Sequence, residues 1–316
     1  MAFEQRMSAV VKNEDTFGTF NLPLAADKDF VLEVGLINPE PNTAEGLRDS
    51  DGSFSRGQTF TQDITAKAEA RTYLMEPVDA TSATGKIEGA PVFEASGMRQ
   101  STWDDNGTEK LSLVFDGSAN CQTMSMRAVN LACGTSQDGY GWDLRGIRTA
   151  LEIAAEVSGG IITASVPISA AYESHTYDKT AAASVNAIDT DAQGKEQFQG
   201  AFVFDSVATP IDAFKISLNP TQKAKKDPSA EGGVSLNTST DYDPMISITA
   251  SAGTATSTWW ADLLAGKVVD SATYTGTFVN IIVTGMSTRN HTPESAEGEI
   301  AITREMSFKT LEIQYK

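Results

Sequence analysis

The clearest pattern of hydrophobic and polar positions runs from Ile147 to Tyr172. Mostly apolar residues occupy every second position on both sides of the Ser-Gly-Gly sequence at 158–160. A period of two is typical of a strand with one buried face, and paired glycines favour a tight hairpin turn. The pattern therefore predicts a long hairpin with one apolar face and one polar to acidic face. Pro167 cannot donate a ladder hydrogen bond, so we expect the returning strand to lie at a sheet edge there.

Weaker alternation predicts further strands, and the fold class is therefore mainly β with short helices. These strands fall within residues 30–37, 60–74, 111–116, 121–131, 198–204, 214–218, 245–250, 274–283 and 298–315. The last of them shifts its alternation near Phe308, which a β-bulge would explain. Two short helices are expected, one after Pro91 that stops at Gly97 and one from Thr258 to Gly266.

The order of these elements divides the chain into four parts. Residues 1–58 are rich in turn formers and predict an extended arm that lies across another surface. Two β domains are expected at 59–172 and 197–316, because each contains strands, a short helix that ends at a glycine, and a long C-terminal hairpin. The polar, alanine-rich segment 173–196 is the expected linker. A duplicated β domain is our hypothesis for the two halves.

Composition and charge narrow the class of protein. The 316 residues are 40% hydrophobic, enough for one large or two ordinary domains with a core. The 24 Lys and Arg residues against 42 Asp and Glu residues give a net charge of −18, which disfavours a surface that grips phosphates. The one basic cluster lies in a predicted loop, Pro220–Gly233.

The number of cysteines and the length of the hydrophobic runs indicate in which cellular compartment the chain is expected. Cys121 and Cys133 are too few for a disulfide framework and favour a reducing compartment, although a pairing across a hairpin stays open. The N-terminal sequence has no signal-peptide pattern. We predict no membrane span, because no apolar run approaches the roughly 20 residues that a spanning helix needs.

Candidate chemistry is sparse. His175 and His291 stand beside Ser and Thr in predicted loops, and we expect both at the surface. The loop aspartates lack the spacing of a calcium loop, and the Gly-Tyr-Gly at 139–141 lacks the strand and helix of a phosphate cradle. Trp259 and Trp260 would suit a sugar-stacking platform, although on a capped helix at least one is expected in the core. We predict no enzyme activity, cofactor or metal site.

Short motifs with a common order are spread over most of the chain. The stretch Glu14–Thr19 reads E-D-T-F-G-T, which fits the pattern E-x-T-(Y/W/F)-G-T. The other motifs are Arg48-Asp49, Arg56-Gly57, the hairpin of Gly146–Tyr172, the strand–proline–strand passage Phe204–Asn219, the helix of Trp259–Gly266 and the strand Glu312–Tyr315. In these motifs the chain resembles the major tail (tail tube) proteins of long-tailed bacteriophages, particularly the siphophage type. Segments 173–195 and 220–233 depart from the family pattern.

The resemblance implies a tail-tube-type β-sandwich or barrel, as two tandem tube-like domains after the N-terminal arm. It implies a virion structural protein whose copies form stacked rings around the channel for genome delivery. A ring would be a trimer if the halves are duplicated and a hexamer otherwise. Its partners would be itself, the tape measure, tail terminator and baseplate or tip proteins, and genomic DNA that passes without specific binding. The virion tail would be assembled in the host cytoplasm.

The polar face of the hairpin suggests which residues would line such a channel. Duplex DNA carries roughly one charge per 1.7 Å, and an acidic wall repels it within about 8 Å at physiological salt. We therefore take Glu152 and Glu156, with the neighbouring Arg148, as candidate lumen-facing residues. Four apolar residues of the arm are candidates for tying one ring to the next: Phe17, Phe20, Phe30 and Leu32.

Other readings stay open from the residues alone. One is a secreted β-sandwich module for carbohydrate binding or adhesion that uses Trp259 and Trp260, although a signal peptide is not evident. Another is a glycosidase-like enzyme, which needs an acid pair in a cleft. For Glu152 and Glu156, an ordinary solvated strand face is an equally good interpretation.

Overall fold

The computed structural model describes residues 7–23, 30–35, 37–45, 59–77, 79–87, 89–117, 122–130, 140–156, 160–177, 194–253, 256–296 and 299–316. Within these ranges the chain is mainly β, as predicted, and every strand pairing is antiparallel. Both cysteines lie outside the described residues.

The described residues form twenty strands, two short helices and one 3-10 turn. The strands are β1 (Met7–Asn13), β2 (Phe30–Val34), β3 (Asn38–Glu45), β4 (Thr59–Tyr73), β5 (Arg99–Asp105), β6 (Thr108–Phe115), β7 (Met124–Asn130), β8 (Tyr140–Thr149), β9 (Glu152–Glu156), β10 (Thr163–Tyr177), β11 (Ala201–Phe204), β12 (Val207–Ala208), β13 (Ala213–Ser217), β14 (Pro220–Lys226), β15 (Val234–Tyr242), β16 (Met245–Ser251), β17 (Val268–Thr275), β18 (Val279–Ala296), β19 (Glu299–Ser307) and β20 (Thr310–Tyr315). The helices are α1 (Ala90–Ala95) and α2 (Trp259–Leu264), and the 3-10 turn is Glu231–Gly233.

Six strands of the N-terminal half close on themselves. The pairings run from β1 to β7, β8, β10, β4 and β2, and β2 pairs again with β1. We call this ring of strands the first circuit. Closure satisfies the backbone donors and acceptors that an open sheet leaves at its edges.

A second circuit contains β9, β13, β16, β19, β18, β17 and β11 in order of pairing. It closes because the residues before β11 bridge to the residues just before β10, with Gln197 opposite Ile161 and the Phe198 N–H donating to the Gly160 carbonyl at 3.0 Å. The start of β10 in turn pairs with β9. The hairpin of β9 and β10 is therefore the seam that joins the two circuits.

The period-two pattern of this hairpin is confirmed. The alternate apolar residues from the end of β8 through β9 and β10 are buried: Ile147, Leu151, Ile153, Ala155, Ile162, Ala164, Val166, Ile168 and Ala170. They contribute to one continuous hydrophobic core that also contains residues of the second circuit. The exposure of the intervening polar residues varies, because strands distant in sequence cover part of the polar face.

The predicted sheet edge at Pro167 is wrong. Strand β10 lies between two neighbours, and Pro167 stands opposite Glu69 of β4. On the other side its carbonyl accepts the Ala150 N–H at 3.1 Å. The nitrogen of a strand residue points to the same side as its carbonyl, so the missing donor of Pro167 falls where β8 has ended at Thr149 and β9 begins only at Glu152. A proline fits a central strand at such a gap.

The segments expected as arm and linker take part in the sheet where they are described. Strands β1, β2 and β3 belong to residues 1–58, and β1 and β2 are each paired on both sides. Strand β10 extends five residues into the expected linker, to Tyr177, and Glu196 at the linker's other end is fully buried. Strands from the two expected domains pair directly, β9 with β13 and β6 with β20.

Local signals placed both helices correctly. Helix α1 has a proline in its first turn, and Gly97, with φ of +106°, follows its end. Helix α2 ends before Gly266, which has φ of +62°. The shift of alternation near Phe308 is a break between β19 and β20 rather than a bulge within one strand, and the Phe308 N–H donates to the Pro244 carbonyl.

Candidate functional site

The E-D-T-F-G-T motif forms a tight turn around a buried carboxylate. Glu14 is 3% exposed, and its oxygens accept the N–H groups of Gly18 and Gly146, each at 2.7 Å. The same carboxylate accepts hydroxyl hydrogens from Thr123 at 2.6 Å and Ser125 at 3.0 Å. Four charge-assisted hydrogen bonds from three chain segments fix the turn to the first circuit.

The turn leaves one large apolar side chain in solvent. Phe17 is 53% exposed, whereas Gly18, with φ of +75°, faces the Ser235 carbonyl so closely that a Cβ would lie 2.6 Å from its oxygen. The motif therefore needs glutamate for the hydrogen bonds and glycine for close approach. The motif is visible in the sequence, whereas the buried role of Glu14 is not. Its spacing of four residues from Gly18 is the signal that could have indicated a side-chain-closed turn.

The other candidates for ring-to-ring contact are placed differently. Phe20 is half-buried, on the same described stretch as Phe17. Phe30 and Leu32 belong to β2, whose backbone is held between β1 and β4, and their side chains lie outside the described residues. Of the four, only Phe17 is shown as a largely exposed side chain.

Glu152 lies on the outward face of β9 and is partly exposed. Its Oε2 is 2.8 Å from Nζ of Lys215 on the neighbouring strand β13, and both side chains reach solvent. An exposed ion pair of this kind contributes little stability, but it offsets the negative charge of the glutamate locally. Glu156 pairs through its backbone with Ala213, and its side chain lies outside the described residues.

Arg148, the third lumen candidate, was expected to be exposed but is buried. It is 2% exposed, and its guanidinium donates to the Tyr242 hydroxyl at 2.9 Å, to the Ser239 hydroxyl at 3.2 Å and to the Gln122 carbonyl. Tyr242 and Ser239 belong to β15, which lies over this part of β8. The polar face of β8 is therefore covered by strands that are distant in sequence.

The covering element is the hairpin β14–β15, which we call the basic hairpin (Pro220–Tyr242). This segment was expected to be a loop up to Gly233, but it is a two-stranded ladder joined by the 3-10 turn. It sits so close to the first circuit that a Cβ on Gly146 would lie 2.5 Å from the Leu236 Cα. At the other end Lys226 forms an ion pair of 2.7 Å with Asp63 of β4.

A second buried carboxylate organises the other circuit. Glu196 is fully buried, and its oxygens accept the consecutive N–H groups of Thr277, Phe278 and Val279 at 3.0, 2.6 and 3.2 Å. Tyr274 donates its hydroxyl to the same group at 3.2 Å. Burial, reinforced by the negative charge of Glu196, raises the pKa of Tyr274 to about 12. This carboxylate closes the turn between β17 and β18.

The two tryptophans of α2 have different environments. Trp259 is 1% exposed and packs its ring edge-on to Phe204 in the core, with a centroid distance of 5.6 Å. Trp260 is 48% exposed, and Leu264, one turn later, is 85% exposed. The expectation that at least one tryptophan belongs to the core is confirmed. Trp260 alone remains as a surface ring, so the pair does not form a two-ring platform.

The expectation that His291 lies at the surface is wrong. It lies in β18 at 6% exposure, with ring centroids of Trp260 and Trp259 at 5.3 and 6.2 Å. Burial, followed by the positive charge of Arg304, lowers the pKa of His291. His291 is buried because helix α2 packs on β18, and this long-range contact has no local signal in the sequence. His175 is exposed, as expected, although it lies in β10 rather than in a loop.

Clusters of metal-ligating side chains and pockets are the features of the described residues that bear on metal binding and chemistry. Within the described residues, no group of three or more His, Cys, Asp or Glu side chains is arranged to hold a metal ion. A pocket of about 370 Å³ opens beside β11 and β12. It is lined by Phe198, Gln199, Gly200, Ala201, Phe202, Ala208, Thr209, Pro210 and Ile211. None of these side chains is ionisable, so the pocket supplies no acid or base.

Comparison with protein-family models and with curated proteins finds no match to this chain. Neither helix among the described residues combines the length and apolar character that crossing a bilayer requires. Function therefore has to be argued from the residues and their arrangement.

Proposed function

We propose that this chain is a tail tube subunit of a long-tailed bacteriophage. Its copies would polymerise into stacked hexameric or pseudo-hexameric rings, and the resulting channel would deliver the genome. The observation that carries the proposal is the E-D-T-F-G-T turn, in which a buried Glu14 holds an exposed Phe17 on a rigid support. An aromatic side chain on a preorganised support is the usual anchor of a protein–protein contact.

The sheet also has an edge at which a second copy can add. Strand β5 pairs with β6 on one side, and no partner occupies its other side among the described residues. Unpaired backbone groups of a seven-residue strand are a ready site for an added strand. The hairpin of β9 and β10, by contrast, is already completed by β4 and β13 of the same chain, so contacts between copies must use other surfaces.

In this proposal the channel wall is acidic and the DNA slides without binding. The net charge of −18 supports weak affinity for a polyanion, and Glu152 and Glu156 remain our lumen candidates. The protein would contact the tape measure, tail terminator and baseplate or tip proteins at the ends of the tube. It would be assembled in the host cytoplasm and would remain in the virion tail.

Electron microscopy of the purified chain at high concentration tests the proposal. We expect rings or hollow tubes from the wild-type chain and loss of them in Phe17→Ser. Val207→Ser is the matched control, because Val207 is 55% exposed and Phe17 is 53% exposed. A wild-type chain that stays monomeric under every condition would overturn the proposal, as would assembly unaffected by Phe17→Ser.

The lumen assignment has its own test. The double variant Glu152→Lys, Glu156→Lys should assemble but slow DNA ejection from particles, because the wall would attract phosphates. Since this change also breaks the pair with Lys215, Lys215→Met serves as the control that removes the pair without adding positive charge. Ejection at the wild-type rate in the double variant would remove these residues from the lumen.

The alternative function, a secreted carbohydrate-binding or adhesion module, has lost its main motif. It relied on Trp259 and Trp260 as adjacent rings, and Trp259 is buried. A single exposed ring at Trp260 is weak support for sugar stacking. Binding on a glycan array that Trp260→Ala abolishes would restore this alternative.

A further inference from the structure

We propose that the basic hairpin is a docking surface for an acidic surface of a second copy of this chain. Lys223 and Lys225 are two residues apart on β14, so they project from the same face. Both are exposed, and neither forms an ion pair with a carboxylate of the described residues. This cluster departs from the tail-tube resemblance, so that resemblance does not account for it.

That Lys223 and Lys225 have no carboxylate partner among the described residues distinguishes them from most other exposed cations there. Most exposed cations shown here have a carboxylate within 4 Å, as Lys67 has in Glu40 and Arg289 has in Asp243. With 42 acidic residues against 24 basic ones, a nearby acid is easily found. Lys223 and Lys225 therefore present a positive surface that no carboxylate of the described residues neutralises.

The hairpin presents these lysines on a fixed support. Its inner side is tied down by Lys226 with Asp63 and by Tyr242 with Arg148. The close approach at Gly146 leaves no room for the hairpin to shift towards the first circuit. A surface that is already ordered loses less conformational entropy on binding, which favours a specific contact over a loose one.

Charge complementarity selects a second copy as the partner. Each copy has 42 acidic residues against 24 basic ones, so a second copy presents an excess of carboxylates with which the two lysines can pair. Two positive surfaces cannot face each other, so the hairpin of one copy must meet a different surface of the next. Where the contact is not repeated across a two-fold axis it is heterologous, and it then generates rings or open stacks. The architecture of the assembly rests on the proposed function, but the contact itself does not.

Sedimentation velocity at two ionic strengths tests this contact. We expect wild-type self-association at about 0.01 M salt, where the Debye length is about 30 Å, and its loss at about 1 M, where it is about 3 Å. The variant Lys223→Glu, Lys225→Glu should weaken association at low salt by about tenfold or more, because attraction becomes repulsion. Lys309→Glu is the control, since Lys309 is also exposed and lacks an ion pair among the described residues. It should change association by less than about twofold if the hairpin is the docking surface.

The outcomes separate this inference from the proposed function. Association that the double variant leaves unchanged, or that Lys309→Glu weakens equally, overturns the docking surface alone. Oligomers that depend on the two lysines but form no rings or tubes uphold the docking surface and overturn the tail tube. A wild-type monomer at both ionic strengths overturns both. Binding of a duplex DNA oligonucleotide through these lysines, in preference to self-association, makes the partner a polyanion and overturns the inference. Unchanged circular dichroism of the variants ensures that folding is not the cause.

Discussion

The two circuits of strands are stabilised by different kinds of buried side chain. In the first, polar side chains on β8 are buried beneath the basic hairpin, as with Arg148 and with Arg145, which donates to the Val234 carbonyl at 3.2 Å. In the second, aromatic rings fill the interior, with Phe214 within 6.4 Å of Phe198, Phe202 and Tyr274 by ring centroids.

Two rings of antiparallel strands in one chain are thus stabilised in different ways. Aromatic packing responds to volume, because a deleted ring leaves a cavity. A buried polar interface responds to geometry, because a displaced donor leaves its acceptor unsatisfied. Different substitutions should therefore lower the free energy of unfolding in the two circuits.

The largest loss should follow removal of the ring that α2 contributes to the second circuit. Trp259→Ala should lower the free energy of unfolding by about 3–5 kcal/mol, because the cavity cannot be refilled. Urea denaturation measures the change. Trp260→Ala on the same helix is the control and should lose less than about 1 kcal/mol, since its ring is half in solvent. Equal losses in the two variants would show that burial of the Trp259 ring does not stabilise the second circuit.

The first circuit should be most sensitive where the basic hairpin approaches it. Gly146→Ala should cost about 1–3 kcal/mol for overpacking against Leu236, in addition to about 1–2 kcal/mol for a left-handed backbone. Gly266→Ala is matched, with φ of +62° against +54° and no atom near its Cβ position. It should show only the backbone loss in thermal unfolding. Similar values for both variants would mean that the hairpin yields without resistance.

The buried carboxylates should show where the two circuits behave alike. Glu196→Gln should lower the free energy of unfolding by about 1.5–3 kcal/mol, because a neutral amide accepts the three N–H groups less strongly. Hydrogen exchange should accelerate first at residues 277–279. Glu14→Gln should cause a loss of similar size with faster exchange at Gly18. Exchange that accelerates uniformly over the chain would contradict a local turn-closing role.

The smallest effect should be the pH response of His291. Its pKa is lowered in the folded chain, so folding favours the neutral ring. The stability that it contributes is complete above the unfolded pKa of about 6.5 and decreases as the pH falls towards the folded value, by less than about 1.4 kcal/mol per pH unit. Asp262 on α2 opposes this shift, while Arg304 on β19 reinforces it.

The measurement is the difference in unfolding free energy between the wild type and His291→Phe from pH 7.5 to 5, pH values chosen to bracket the unfolded pKa of about 6.5. The variant should lose less stability on acidification than the wild type. Trp260 fluorescence should change with the same midpoint, because the two rings are in contact. Identical pH profiles would show that the histidine does not titrate in this range.

Local patterns predicted much of the secondary structure. The alternation from Ile147 to Ala170, the proline-started turn at α1 and the helix that ends before Gly266 all depend on near neighbours in sequence. The E-D-T-F-G-T motif was also visible. Its mechanism was not, because three of the four donors to Glu14 come from residues more than 100 positions away.

What the sequence by itself determined is the class of fold, the apolar face of the β9–β10 hairpin and the acidic character of the chain. Only the tertiary structure decided that Pro167 lies in a central strand, that Arg148 and His291 are buried, and that the lysine segment is a hairpin seated on the first circuit. The physical reason is that periodicity specifies which side of a strand avoids water. The strand or helix that covers its other side is chosen by long-range pairing, which leaves no local signature.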